Sequence, residues 1–318
     1  MKLLFGLFCG LACTAATNTF LGGTAVTDDR GRVSAVNLRS SWIEDSDLLQ
    51  LAGLKSLTEL DLSETRITDI GFQALKSLTN VSRINLYYSE QIGDGALAAM
   101  KGWKQLRSVN LRGTKVTDAG LVHLAGLPIE TLDVGYSLFT DNGFDALVNL
   151  PKLKYLAAGG NKITDTGLNS LRLLTSLTEL DVSGSQRTDS GLWAATITDR
   201  SIETIDSLQS IQALNLKGAK FTDAGLNRLT RLKQLKRLDL GETNLSAIGL
   251  ASLKNFPLLE QISFYKAKRV ADDVVPILAA LPNLRWVDLT GTAITATGIQ
   301  SLKAVHQQCT VIWETPAN

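Results

Sequence analysis

An α/β solenoid is the fold class the sequence predicts, on three observations: a fixed period near 24 residues, a change of apolar spacing inside each period, and non-repeating ends. Aligned on its first apolar position, the period starts at Val33, Leu57, Val81, Leu106, Ile129, Leu153, Leu177, Ile211, Leu235, Leu259 and Leu284, with a half-repeat from Cys309. Every spacing is 23 to 25 residues except the 34 between Leu177 and Ile211. One such unit cannot bury its own apolar face, so units must stack.

The stretch Leu57 to Asn80 shows the unit clearly. Leu60 and Leu62 alternate with Glu59, Asp61 and Ser63, the period of a strand with one buried face. Phe72, Leu75 and Leu78 then recur every third residue, as on the inner side of a helix, behind a Thr68-Asp69 pair suited to cap it. The pair returns at Thr117-Asp118, Thr140-Asp141, Thr164-Asp165, Thr188-Asp189 and Thr222-Asp223, which assigns these acids to helix capping rather than catalysis. The residue between the inward strand positions runs Asn37, Asp61, Asn85, Asn110, Asp133, Ala157, Asp181, Asn215, Asp239, Ser263, Asp288. No two aspartates are neighbours, which suits a solvated structural ladder better than a calcium site.

The ends read differently. Residues 1–16 combine Lys2, an apolar run from Leu3 to Ala12 and small residues up to Ala16, the layout of a signal peptide cleaved after Ala16. Gly10-Leu11-Ala12-Cys13 loosely resembles a lipoprotein cleavage site, so a lipid anchor at Cys13 is the alternative. Alternation on both sides of Asp29-Arg30-Gly31 predicts an N-terminal hairpin over residues 20–38 that runs into the first repeat. The expected division is a signal peptide (1–16) and one repeat domain (17–318), with eleven repeats over 33–308 and a cap over 309–318. Cys309 is the one cysteine outside the leader and takes an apolar repeat position, so it reads as a small buried hydrophobe.

The long repeat at Leu177 writes its helix start twice, at Thr188-Asp189 and at Thr198-Asp199. Arg187 precedes the first pair and Ile197 the second, so the second fits the core. Residues from about Gly184 to Thr196 should then protrude as a loop carrying Trp193.

Copies of LxxLDLSxTxITDxGLxxLxxL, with a DDRGRV hairpin ahead and a C-T-V-I-W ending, resemble bacterial exported leucine-rich repeat proteins of the ribonuclease-inhibitor-like and cysteine-containing classes. The resemblance covers roughly residues 20 to 314. It implies a horseshoe with a concave parallel sheet, convex helices and protein recognition as the usual role. The altered pairs Ser246-Ala247, Ala271-Asp272 and Thr295-Ala296 depart from the pattern, and the last three helices should begin less firmly.

Function follows from what the outward strand positions carry. With Leu57 as position 1, positions 3, 5, 7 and 8 face away from the helices, and all five tyrosines fall there: Tyr87, Tyr88, Tyr136, Tyr155 and Tyr265. Trp286 is also at position 3, and Arg112 joins the tyrosines of four adjacent repeats. Tyrosine, tryptophan and arginine are the residues that anchor protein interfaces. Together with Trp193 these are the candidate partner-binding residues. The partner expected is a protein, with carbohydrate or cell-wall binding the alternative. A formal net charge of +1 offers no general attraction to nucleic acid. His123 and His306 have no plausible metal set or nucleophile beside them, so neither catalytic residues, metal nor cofactor is expected. An exported monomer, secreted or held in the cell envelope (periplasm or cell surface), is the resulting picture, with no membrane insertion after processing.

Overall fold

The computed structural model describes residues 17–188 and 191–314. The leader and Cys13 lie outside them. Twelve parallel strands stack in chain order: Val33–Asn37, Glu59–Asp61, Arg83–Asn85, Ser108–Asn110, Thr131–Asp133, Tyr155–Ala157, Glu179–Asp181, Ala213–Asn215, Arg237–Asp239, Gln261–Ser263, Trp286–Asp288 and Thr310–Ile312. Equivalent positions pair directly, Leu60 with Ile84 and Ile84 with Val109, so each repeat column becomes a physical row across the sheet. At the N-terminal edge Thr17–Phe20 and Gly23–Thr27 add two antiparallel strands, the second pairing with Val33–Asn37.

The inward residues form one continuous core. Leu60, Leu62, Phe72, Leu75 and Leu78 are all at most 1% exposed, and the same columns are buried along the solenoid. Most return segments are a short α-turn, often continued as a 3-10 turn, as in Asp69–Phe72 followed by Gln73–Ser77, while the last is the ten-residue helix Ala296–Val305. Helices this short have little stability of their own; packing on the sheet holds them.

What fixes one return segment against the next is the aspartate of the Thr-Asp pair, in a role different from the expected one. Thr68 does cap its own helix, its hydroxyl accepting the Ile70 N–H. The aspartates instead reach across to the following repeat. Asp141 and Asp223 each accept the N–H and the hydroxyl of the next cap residue, Thr164 and Ser246, and Asp45 and Asp94, at the same position but preceded by Glu44 and Gly93, treat Thr68 and Thr117 in the same way. The glycine of the T-D-x-G pattern follows from this contact. A Cβ on Gly71 would sit 2.3 Å from Asp45 Oδ1, and one on Gly167 2.4 Å from Asp141 Oδ1.

The exceptions obey the same rule. Ala247 carries no carboxylate, and in the next repeat Ala271 has no hydroxyl to offer while a fully buried Val274 replaces the glycine. Of the three altered helix starts, Ser246 and Thr295 are capped by their own hydroxyls, and only Ala271 lacks a side-chain cap.

The fifth-position ladder is solvated only in part: Asn37 is exposed, and Asn85, Asp181, Asn215, Asp239 and Asp288 are half-buried. Asp61, Asn110 and Asp133 are 2–5% exposed. Each accepts the N–H two residues on, as Asp133 does from Gly135 at 2.7 Å and Asn110 from Arg112 at 3.1 Å. Where the column is buried, the turn that ends the strand supplies the donor that water would otherwise give.

The long repeat uses its second helix start: Thr198 caps and Ile197 is buried. Its extra residues form an antiparallel hairpin, Ser185–Thr188 with Gly191–Ala194, where a loop was expected. Thr196 bridges Thr164 as Lys162 bridges Thr140, so the normal register resumes before the helix.

Candidate protein-recognition surface

Backbone geometry after each strand sets where the candidate side chains point. The eighth residue of all eleven repeats has a positive φ: Ser40, Glu64, Tyr88, Gly113, Tyr136, Gly160, Gly184, Gly218, Glu242, Lys266 and Gly291. A bulky residue there costs roughly 1–2 kcal/mol, so Tyr88 and Tyr136 need compensation. They find it on the next repeat. A Cβ on Gly113 would lie 2.9 Å from the Tyr88 ring, and one on Gly160 2.8 Å from the Tyr136 ring. Tyrosine and glycine alternate because the ring occupies the space that the missing side chain leaves. Strand preference therefore does not account for these two tyrosines, which lie beyond the strands.

Four of the expected residues come together. The Tyr87 and Tyr88 rings meet edge to face with centroids 4.6 Å apart. One repeat on, the Arg112 guanidinium lies 4.4 Å from the centre of the Tyr136 ring and 3.7 Å from the Asp133 carboxylate. Asn85 and Asn110 hold the main chain of Tyr87 and Arg112 through the turn bonds at position 5. Tyr155 lies one strand beyond Asp133, beside the same charges.

The electrostatics mark a partly dry patch. Burial pushes the Asp133 carboxyl up to about 6, against the pull of Arg112. Burial also works against the Arg112 charge, but Asp133 and its neighbours hold the guanidinium's pKa above its ordinary value. The Tyr155 phenol is raised by burial and then by the carboxylates of Asp133 and Asp181, and the Tyr88 phenol by burial and Tyr87. The raised phenols of Tyr155 and Tyr88 stay protonated at neutral pH and present planar, amphipathic rings for contact.

The remaining candidates sit apart. Tyr265 is flanked by the ammonium groups of Lys217 and Lys266 at 4.8 and 4.9 Å. Trp286 lies at the far end of a recess over Ala213 whose near end is Tyr155 of the tyrosine patch. Trp193 is half-buried in the hairpin opposite Gln186, whose amide donates to the Ser137 carbonyl at 2.7 Å and ties the hairpin to the tyrosine patch. Reading the columns for aromatics missed Glu179, Ala213, Arg237 and Gln261 in that recess, although all four share the third position with Tyr155 and Trp286.

His123 is half-buried, and His306 Nε2 lies 3.1 Å from the Leu278 carbonyl oxygen. Cys309 is half-buried too, and burial raises its thiol. Among the described residues no group of three His, Cys, Asp or Glu could hold a metal ion, and no helix is long and apolar enough to cross a membrane.

Comparison with known proteins bears on the fold. A leucine-rich repeat family profile matches residues 53–76 and 105–125. No curated protein matches the sequence. Among solved structures, an internalin (inlF) from Listeria monocytogenes superposes with a TM-score of 0.62 at 24% identity, over 85% of this chain and 71% of that one. Internalin C2 (inlC2) of the same organism gives a TM-score of 0.45 at 21% identity, over 73% and 80% of the two chains. The fold likeness rests on the first of these. By its matched repeats and the solenoid they build, this chain has the leucine-rich repeat fold.

Proposed function

We propose that this protein is an exported, non-enzymatic recognition module that grips a protein partner on its concave face. The observation that carries the reading is the contiguous surface of Tyr87, Tyr88, Arg112, Tyr136 and Tyr155 over four adjacent repeats. Strands about 4.8 Å apart put it within roughly 15 Å along the sheet. That is the scale on which a few aromatic and arginine anchors dominate affinity. The leucine-rich repeat fold supports the choice, since its sheet offers a broad, preformed surface whose side chains are set by a rigid core. The leader-like 1–16 segment supports export to the cell envelope or beyond, and the partner is expected there.

The test is capture from the native envelope fraction with the wild-type chain and with a Tyr87→Ala/Tyr136→Ala variant, side by side. A protein retained by the first and lost by the folded second supports the reading. A glycan or peptidoglycan fragment retained instead would favour carbohydrate recognition. Equal capture by both would remove the patch from the interface.

A further inference from the structure

We propose that the concave face carries a second recognition point, a recess over Ala213 that takes a cationic lysine or arginine side chain of a protein partner. The inference rests on the concave face being the partner-binding surface, and places an anchor next to the tyrosine patch, with Tyr155 common to both. Register puts Tyr155, Glu179, Ala213, Arg237, Gln261 and Trp286 in one row across six strands. Ala213 is the one small residue of that row, so the row opens a gap floored by Leu180, Leu214 and Leu238.

Size limits the occupant. The recess encloses about 60 Å³, whereas small-molecule sites run to several hundred Å³. It suits one side-chain head group delivered by a larger partner.

Charge selects its sign. Glu179, Asp181 and Asp239 line the recess against the single guanidinium of Arg237. Arg237 is already committed to Glu179 at 2.9 Å, and nearby Lys217 to Glu242 at 3.2 Å. The Asp181 and Asp239 carboxylates are held by neutral donors, the N–H groups of Ser183 and Gly241 at 2.9 and 2.8 Å and the Ser183 hydroxyl. Burial raises the Asp239 carboxyl against its bonds to Gly241 and Ser263 and the pull of Lys217, a sign that its charge is poorly solvated. A cation entering over Ala213 would offset that cost, and the Trp286 ring at the end of the row adds a face for it.

The experiment uses the full chain labelled with ¹⁵N at its tryptophan indoles, with N-acetylarginine amide as probe. The neutral isostere N-acetylcitrulline amide and N-acetylglucosamine serve as comparisons. The expected result is a saturable shift of the Trp286 indole signal with the arginine probe and at least tenfold weaker binding of the other two. Ala213→Leu, which fills the gap without changing charge, should abolish the response while the other indole signals stay in place. Asp239→Asn gives a second reading should Ala213→Leu fail to fold, with at least threefold weaker arginine binding expected. Equal binding of arginine and citrulline probes, a preference for the sugar, or an arginine response unchanged in both variants would overturn the recess. Those results leave partner capture by the tyrosine patch untouched, so the two readings fail separately.

Discussion

Asp141 and Gly167 belong to different repeats and share one contact, which makes them the place to test how neighbouring repeats are locked. Gly167→Ala would drive a Cβ to 2.4 Å from Asp141 Oδ1, and should cost roughly 1–3 kcal/mol by overpacking. Asp141→Ala removes the acceptor of the Thr164 N–H and hydroxyl, at a cost of about 1–3 kcal/mol. The double variant should lose less than the two losses added, since the Cβ then meets no carboxylate. Urea unfolding measures all three, and strict additivity would contradict the lock. The naturally occurring Ala247, Ala271 and Val274 set is the same relaxation already in place. Sequence reading finds the Thr-Asp pair but assigns both residues to one helix, because the partners of each aspartate lie about one repeat downstream. Vertical comparison of Asp with the later glycine carries the missing signal.

Asp133 makes a second prediction at this scale, through pH. Its folded pKa of about 6 lies above the ordinary carboxyl value of 3.8, so the folded state holds the proton more tightly than the unfolded chain. That contribution is fully present below pH 3.8 and is lost as pH rises through about 6. Asp133→Asn keeps an acceptor for the Gly135 N–H and removes the buried charge. Its stability relative to wild type should therefore improve by about 1–3 kcal/mol between pH 4 and pH 7.5. Thermal melts across that range check the sign, and a flat difference would contradict it.

Among the elements, the hairpin is the informative one. In an ordinary repeat two residues separate position 8 from the buried apolar residue at position 11, as Thr65 and Arg66 separate Glu64 from Ile67. In the long repeat Ala195 packs partly buried against the core and Thr196 makes the bridge to Thr164, so these two take the same places. Residues 185–194 are then a pure insertion. Deleting them should leave a single cooperative unfolding transition, with about 1 kcal/mol lost through the Gln186 bond to Ser137. Broadened or biphasic melting would show the hairpin to be structural. The sequence locates this insertion through Ile197 but not its hairpin form, because Ser185 to Ala194 lacks the Asn-Gly or Asp-Gly turn and the clean alternation that announce one.

Across the whole molecule, stability is shared between neighbours, so damage should spread along the stack. Leu111→Asp would place a charge at a fully buried site and should unfold adjacent repeats in hydrogen exchange before distant ones. The repeat period, the parallel sheet and the inward leucines are legible in the sequence because each is a one-dimensional pattern. The recognition face is only half legible: the columns place the tyrosines, but the pairing of Tyr88 with Gly113 and the recess over Ala213 exist only once strands are stacked. The central claim is that the concave face, rather than the convex one, binds the partner. Tyr136 on the sheet side and Ile70, 82% exposed on the helical side, give a matched comparison. With the captured partner in hand, calorimetric affinities of Tyr136→Ala and Ile70→Ala should show about a tenfold or greater loss for the first, corresponding to about 1.4 kcal/mol, and none for the second. A loss confined to Ile70→Ala would place binding on the convex helices and contradict the account.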